Sequence, residues 1–220
     1  GSVIAIVAFP LASAAWIRKD RTRFGRIDAT ARTAILALFL PVSILLFQAP
    51  LAELLNTAFG PGYDAAAQPL RLMSIALILA SLMVWAGFVF LSIGRPRLIL
   101  AINALCLTVG VASSPLVVPR FGLPGLAAVG IGATMIGATS AALLLRKFAP
   151  YSFDVRGTVR LAVLGAILWL ALSATKIVSD NFLVLATVAA IAYPLLVITF
   201  QVFPKSLLDD LRTTADGSLD

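Results

Sequence analysis

The run LILAINALCLTVGVASSPLVV at residues 98–118 decides the fold of this chain, together with the run PGLAAVGIGATMIGATSAALLL at residues 124–145. Neither run contains a charged residue. A helix needs about 20 apolar residues to cross the roughly 30 Å hydrocarbon core of a bilayer, and both runs have that length. Because the bilayer core offers no water to backbone polar groups, each run is predicted to be a transmembrane helix.

Five further apolar runs flank this pair, at residues 3–16, 31–49, 70–93, 158–178 and 182–203. Of the whole chain, 60% is hydrophobic and 12% is charged, whereas a soluble domain has about 45–50% apolar and about 25% charged residues. The sequence therefore predicts an all-α fold, a polytopic membrane protein with about seven transmembrane helices. The first run is short for a span, and we expect it to be the end of a helix that begins before residue 1.

The basic residues predict how the helices are oriented. In a seven-helix arrangement, all 17 lysines and arginines fall on one side of the membrane except Arg71, Arg120 and Lys176. Cytoplasmic loops carry an excess of Lys and Arg. We therefore predict a multi-pass protein of the cytoplasmic (inner) membrane with its C-terminus in the cytoplasm. This topology explains the net charge of +7, so no nucleic-acid partner is expected.

The chain lacks the residues that most catalytic and metal sites use. It has no histidine, and its one cysteine, Cys106, lies within an apolar run. No G-x-x-x-x-G-K-[ST] phosphate loop and no H-E-x-x-H or G-x-S-x-G motif occurs. All ten acidic residues are assigned to the two aqueous sides, although an acidic group inside the membrane would be a functional candidate by default. We expect no catalytic residue, no metal, no cofactor and no enzymatic activity.

Two local patterns predict how parts of the chain pack. Small residues of the helix at 124–145 recur at four-residue spacing and form two stripes: Ala133, Gly137 and Ala141 in one, Ala128 and Gly132 in the other. Such stripes let helix backbones approach closely. Between the second and third runs, the segment 50–68 places leucines on one helical face, which predicts a short interfacial helix.

Mild polar groups within the apolar runs are candidates for a substrate cavity. Gln48 and Asn103 are the amides among them. Hydrogen bonds between helices explain most such residues, and Asn103 is the one that we expect to face a cavity. Internal prolines occur in four runs: Pro10, Pro41, Pro115 and Pro194. Prolines are common in transmembrane helices, and kinked helices also suit a transporter that rocks, so both interpretations stand.

Four landmarks occur in order along residues 9–145. They are Phe9-Pro10 before a basic loop, the helix 31–49 leading through Leu54-Leu55 into Gly60-x-x-Tyr63-x-x-Ala66, the turn Ile93-Gly94-Arg95, and PRFGLPGLA at 119–127 ahead of the small-residue helix. Together they resemble the C-terminal half of polysaccharide and O-antigen flippases, in the multidrug/oligosaccharidyl-lipid/polysaccharide exporter superfamily. The resemblance marks six structural motif residues: Pro10, Gly60, Tyr63, Gly94, Gly122 and Gly125.

The resemblance implies one lobe of a two-lobed, MATE-like transporter. Residues 1–148 align with the C-terminal lobe, residues 149–204 with two additional transmembrane helices, and residues 205–220 form a short cytoplasmic tail. The N-terminal lobe has no counterpart in the chain. The chain is therefore expected to be a fragment or one product of a split gene, unless two copies pair as a homodimer.

The function implied by the resemblance is the flipping of a lipid-linked oligosaccharide in O-antigen, lipopolysaccharide or other polysaccharide biosynthesis. The implied partners are that polyprenyl diphosphate sugar, membrane lipid and the missing N-terminal lobe. Arg71, at the start of a helix on the external side, is the candidate contact for a phosphate. Its alternative role is an interfacial anchor whose charge snorkels to water.

Three other functions are compatible with the sequence. A multidrug or cation antiporter of the same superfamily would be favoured by acidic residues within the membrane. A non-transporting scaffold subunit would co-purify with a transporter without affecting lipid-linked sugars. A membrane-embedded glycosyltransferase or ligase would need acidic groups at the interface, where Glu53 and Asp64 are the external candidates.

Overall fold

A computed structural model describes residues 2–149, 155–179 and 181–199 of the chain. Every element within these residues is helical, in agreement with the all-α prediction. The elements are α1 (Ser2–Ile17), α2 (Arg21–Gln48), α3 (Leu51–Phe59), a single 3₁₀ turn (Tyr63–Ala66), α4 (Ala67–Ser92), α5 (Pro96–Phe148), α6 (Val155–Val178) and α7 (Phe182–Thr199). The predicted tail at 205–220 lies outside the described residues.

The 53 residues of α5 form two antiparallel arms rather than one rod. Gly122 interrupts the helix with φ 62° and ψ −144°. A Cβ placed on Gly137 would lie 2.5 Å from Sγ of Cys106, although the two residues would be about 46 Å apart in one straight helix. The chain therefore reverses at Gly122, and we call the arms α5a (residues 96–121) and α5b (residues 123–148).

With α5 divided, the predicted count of about seven membrane-crossing segments is confirmed. Five of the described helices are long and apolar enough to cross a membrane, and the 53-residue α5 is long enough to cross twice. The seventh segment is α1, whose residues Ala8–Ile17 form a shorter apolar helix. The chain is a multi-pass membrane protein.

Successive segments run in opposite directions, so the molecule has two ends. The end where α1 leads into α2 and α4 into α5 carries Arg18–Arg32, Arg95 and Lys147, and we call it the basic end. The other, called the α3 end, holds α3 and the turn of α5 at Gly122. Lys176 at the end of α6 lies there as well, because its Nζ donates to the carbonyl oxygen of Gln48 at 3.4 Å.

We call α1 to α5 the lobe, and α6 with α7 the C-terminal pair. The core of the lobe lies between α1, α2, α4 and both arms of α5. Its largest fully buried side chains include Trp85 and Phe90 of α4 and Phe24 and Ile35 of α2. The stripe Ala133–Gly137–Ala141 is buried against this core, which confirms its predicted tight packing. The second stripe is not buried, because Ala128 is exposed and a Cβ on Gly132 would meet nothing within 4 Å.

The last two helices pack on the opposite face of α2. Leu168 and Leu172 of α6, with Leu185 of α7, form a buried cluster with Ile44 of α2. A second cluster joins Leu161 and Leu164 of α6 to Ala37 of α2: together the two clusters run along most of α6. The pair is therefore attached to the lobe chiefly through one stripe of α2.

One prediction about α2 is wrong. The helix begins at Arg21, well before the apolar run at 31–49, because Asp20 caps it by accepting a hydrogen bond from the Arg23 N–H at 2.9 Å. The added turns carry Phe24 and Asp28 into the core of the lobe. Asp28 is only 3% exposed, so this carboxylate is buried among the helices at the basic end and is not in contact with water as expected.

Candidate functional site

A groove of about 480 Å³ opens on the lobe where α4 meets both arms of α5. Its walls are mainly apolar and include Met83, Val84 and Leu91 of α4 and Ile99 of α5a. Small residues of α4 create the space: Ala80 and Gly87 both lie on this face, and a Cβ on Gly87 would already lie 3.4 Å from Ile99 Cγ1. The groove is a recess within the apolar spans, open on one side.

Two polar side chains, Asn103 and Thr134, line the groove. The Thr134 hydroxyl donates to the Gly130 carbonyl oxygen of its own helix at 2.8 Å, so its donor is already used. Asn103 is exposed and has no hydrogen-bond partner within the part of the chain that the structure describes. Its amide therefore presents two N–H donors and a carbonyl acceptor to whatever occupies the groove.

The other two predicted cavity residues, Arg71 and Gln48, lie together elsewhere. Arg71 Nη2 donates to the carbonyl oxygen of Ala49 at 3.1 Å, and Gln48 Nε2 donates to Ser173 Oγ at 2.9 Å. They occupy the α3 end, on the face of α4 opposite the groove. Arg71 lies twelve positions before Met83, about 18 Å along a helix. The structure thus divides the three candidates between two places.

The landmark residues mark ends and turns of helices. Gly60, Gly94 and Gly122 all have positive φ values, and Tyr63 stacks on Phe59 with ring centroids 5.5 Å apart. Gly125 sits inside the α5 turn, where a Cβ would lie 2.8 Å from Phe121 Cβ and 3.2 Å from the Val117 carbonyl oxygen. A side chain at 125 would therefore push the two arms apart. Pro10 lies exposed within α1.

A third polar cluster, at the basic end, was missed by the sequence reasoning. The Asp28 carboxylate accepts from Arg32 Nη2 at 2.6 Å and from the indole Nε1 of Trp85 at 2.9 Å. Nearby, Ser13 of α1 donates to Ser92 of α4 at 3.2 Å. The Asp28–Arg32 spacing of four residues and the unusual Trp within an apolar run were the available signals. They were overlooked because α2 was predicted to begin after Asp28.

The described residues contain no group of three or more His, Cys, Asp or Glu side chains that could hold a metal ion. Glu53 and Asp64, the external carboxylates considered for a transferase, are both exposed at the α3 end. The polar features of the lobe are the amide of Asn103 in an apolar groove, the Asp28 cluster at the basic end and the Arg71 contacts at the α3 end.

Comparison with known proteins gives a match in fold but none in sequence. Neither a protein-family model nor a curated protein sequence matches the chain. A solved structure does match: lipid II flippase MurJ in an inward closed conformation, with a TM-score of 0.75 over 90% of this chain. The fold of the chain is similar to the part of MurJ that it covers. Sequence identity is 14%, and the chain covers 42% of MurJ, so it spans less than half the length of that flippase.

The likeness to MurJ extends over the lobe and the C-terminal pair alike, since 90% of the chain is covered. At 14% identity it establishes the fold and not the substrate. It agrees at a coarse level with the flippase resemblance found in the landmarks. The narrower assignment to polysaccharide and O-antigen flippases is part of the proposal that follows.

Proposed function

We propose that this chain forms one lobe of a carrier that flips a lipid-linked oligosaccharide across the cytoplasmic membrane. The observation that carries the proposal is the MurJ-like fold over 90% of the chain, in a molecule that covers 42% of that flippase. The order of the sequence landmarks supports a polyprenyl diphosphate sugar of polysaccharide or O-antigen biosynthesis as the substrate class. The protein acts by binding and conformational change, and catalyses no covalent step.

The groove supplies a physical reason for an oligosaccharide substrate. A sugar carries hydroxyl groups that lose water when they enter an apolar span, and an unpaired group there costs several kcal/mol, on the order of 2–7. Asn103 offers donors and an acceptor at this place, while the apolar walls accommodate lipid chain. We assign Asn103 to the substrate path and treat Gln48 as a contact between α2 and α6.

A second lobe is part of the proposal. A carrier that alternates between two sides of a membrane moves one helical bundle against another around a shared site. One lobe alone would leave Asn103 and the open side of the groove facing lipid. We propose an N-terminal lobe on a separate or continuous polypeptide as the partner, with a second copy of this chain as the alternative.

Complementation of a strain that lacks a lipid-linked-oligosaccharide flippase tests this proposal. We expect residues 1–220 alone to leave surface polysaccharide absent, and the same residues joined to a matching N-terminal lobe to restore it. In the joined protein, Asn103→Leu should reduce polysaccharide strongly, whereas Thr108→Val, on the same arm but outside the groove, should not. Restoration by residues 1–220 alone would favour the homodimer. No restoration by either form would favour a scaffold subunit.

The orientation is proposed from charge and has its own test. The basic end is assigned to the cytoplasm and the α3 end to the outside, which places the C-terminus in the cytoplasm. With Cys106 replaced, Gly62→Cys should react with an impermeant thiol reagent in intact cells, and Arg23→Cys should react only after permeabilisation. Both positions are exposed at their respective ends. Labelling of both in intact cells would contradict the assignment.

One observation favours a cation antiporter as the second candidate function. Asp28 is a buried carboxylate within the span of α2, and buried ionisable groups in membrane helices often belong to ion pathways. Against this, Arg32 and Trp85 already satisfy it. If a stably folded Asp28→Asn protein lost transport that a proton or sodium gradient drives in the wild type, the antiporter would become the better explanation.

A further inference from the structure

At the α3 end, two cationic side chains from different helices contact the C-terminal end of α2. Arg71 of α4 and Lys176 of α6 donate to adjacent carbonyl oxygens of α2, those of Ala49 and Gln48, at 3.1 and 3.4 Å. Two successive carbonyl groups therefore hold both cations at the same end of α2, one on each carbonyl. We call Arg71, Lys176, Gln48 and Ser173 the α3-end cluster.

The protein does not use all the donors of Arg71. A guanidinium has five N–H donors, and Ala49 accepts one of them. The Nε–H is buried without an acceptor among the described residues, although Arg71 as a whole is only half-buried. Arg71 also forms no ion pair with a described carboxylate. A buried donor that lacks a partner requires an explanation, and an anionic oxygen from outside the chain supplies one.

The cluster lies at the level of the membrane–water interface. α3 starts immediately after Ala49 and packs Leu51, Leu54 and Leu55 inward, against Phe182 at the start of α7. Its other side carries exposed Glu53 and Asn56. An amphipathic helix of this kind lies in the plane of the interface. Phe59 and Tyr63, stacked and 66% and 52% exposed, are aromatic residues of the type found at headgroup level.

We propose that the α3-end cluster binds the phosphate of a membrane phospholipid from the outer leaflet. Arg71 and Lys176 neutralise the phosphate, and the acyl chains lie along the junction between the lobe and the C-terminal pair. Arginine forks match phosphate oxygens bidentately. The bound lipid joins α4 of the lobe to α6 of the pair, both of which already meet at the end of α2. This site goes beyond the transport proposed above.

The position of the cluster favours a bilayer lipid over the transported substrate. The groove with Asn103 and the side chain of Arg71 lie on opposite faces of α4, about 18 Å apart along its axis. A substrate held in the groove therefore does not place its diphosphate at this cluster. The cluster instead lies where α4 and α6 each contact the end of α2.

Lipid retention tests the proposal. The full chain is reconstituted in nanodiscs of phosphatidylcholine and phosphatidylglycerol. The protein is then released from the nanodiscs, and native mass spectrometry counts the phosphatidylglycerol molecules that stay bound to it. With about 1 kcal/mol for each cation near an anionic headgroup, retention should fall about fivefold in Arg71→Gln and in Lys176→Gln, and about thirtyfold in the double variant. Arg120→Gln, an exposed arginine at the same end, should retain lipid as the wild type does.

Three results would overturn the site. Unchanged retention in the double variant would show that these cations hold no lipid. An equal loss in Arg120→Gln would show general surface attraction. Displacement of the phosphatidylglycerol by a polyprenyl diphosphate at lower concentration would assign the cluster to the carrier lipid of the substrate. If gel filtration in detergent shows that the double variant fails to fold, Arg71→Lys replaces it. This substitution preserves the positive charge but loses the planar guanidinium. It should therefore weaken lipid retention by less than Arg71→Gln does.

Discussion

The lobe and the C-terminal pair use opposite faces of the same helix, α2, and they use them differently. Towards the lobe, α2 buries Phe24, Asp28 and Ile35 against α1 and α4. Towards the pair, it presents Ala37 and Ile44 to the leucines of α6 and α7. At 3.6 residues per turn these two sets fall on roughly opposite sides of the helix.

The polar contacts differ in kind as well. On the lobe side, Asp28, Arg32 and Trp85 form a buried ionic cluster that joins α2 to α4. On the side of the pair, hydrogen bonds are neutral or reach backbone carbonyls: the Tyr193 hydroxyl donates to Ala37, and Gln48 donates to Ser173. The lobe is therefore held by contacts that are costly to break singly. The pair is held by many apolar contacts and a few weaker polar ones.

Loss of the ionic cluster should have the largest effect. Asp28→Ala removes the carboxylate that accepts from Arg32 and from the Trp85 indole, and breaking a buried ion pair costs about 3–5 kcal/mol. We expect a large fall in the melting temperature of the detergent-solubilised protein, with a smaller fall for Asp28→Asn, which keeps an acceptor. Asp64→Ala, at an exposed carboxylate, should leave stability unchanged. Equal stability of Asp28→Ala and wild type would remove the distinction between lobe and pair.

Substitution of glycines by leucine should give the next largest fall in melting temperature. Gly137→Leu places a Cβ 2.5 Å from Cys106 Sγ and 2.6 Å from Met83 Cε, and overpacking of this kind costs about 1–3 kcal/mol. Gly165→Leu, in the pair, places a Cβ 3.1 Å from the flexible end of Leu40 and 3.6 Å from that of Ile44, and should lower the melting temperature less.

Gly132→Leu is the matched control for these substitutions, because it lies on the same arm as Gly137 and a Cβ there would meet nothing within 4 Å. Its solubilised yield and melting temperature should match those of the wild type. A Gly165→Leu protein that melts below Gly137→Leu would show that the pair is packed more tightly than the lobe.

The smallest effect is expected from the hydrogen bond between α7 and α2. Tyr193→Phe removes the hydroxyl that donates to the Ala37 carbonyl oxygen, and a single hydrogen bond contributes about 0.5–1.5 kcal/mol. Thr187→Val, on the same helix, removes a hydroxyl that bonds only within α7 and serves as the control. The melting temperature of the detergent-solubilised protein measures the effect. If Tyr193→Phe lowered it as much as Asp28→Ala does, the pair would depend on polar contacts as strongly as the lobe does.

Several features of the candidate sites could be predicted, because they depend on local chemistry. Asn103 was expected to face a substrate cavity; it lines the groove, and its contact with a substrate stays a prediction. The leucines of 50–68 predicted a helix, and α3 is present. The Asp28 cluster could not be assembled in the same way, since its indole comes from Trp85 on another helix. Arg71 was predicted as a phosphate contact because it lies at the start of a helix. That it shares the end of α2 with Lys176 depends on how α4 and α6 are placed.

What the sequence by itself determined is the number of spans, their order and the clustering of basic residues at one end. These follow from the length of apolar runs and from the charges between them, which are properties of the chain read in one dimension. Only the tertiary structure decided which face of each helix is buried. In a soluble helix an apolar stripe reveals that face, but lipid is as apolar as the protein interior, so these helices are apolar all round. The two packing faces of α2, the groove beside Asn103 and the α3-end cluster therefore became visible only once the helices were placed against each other.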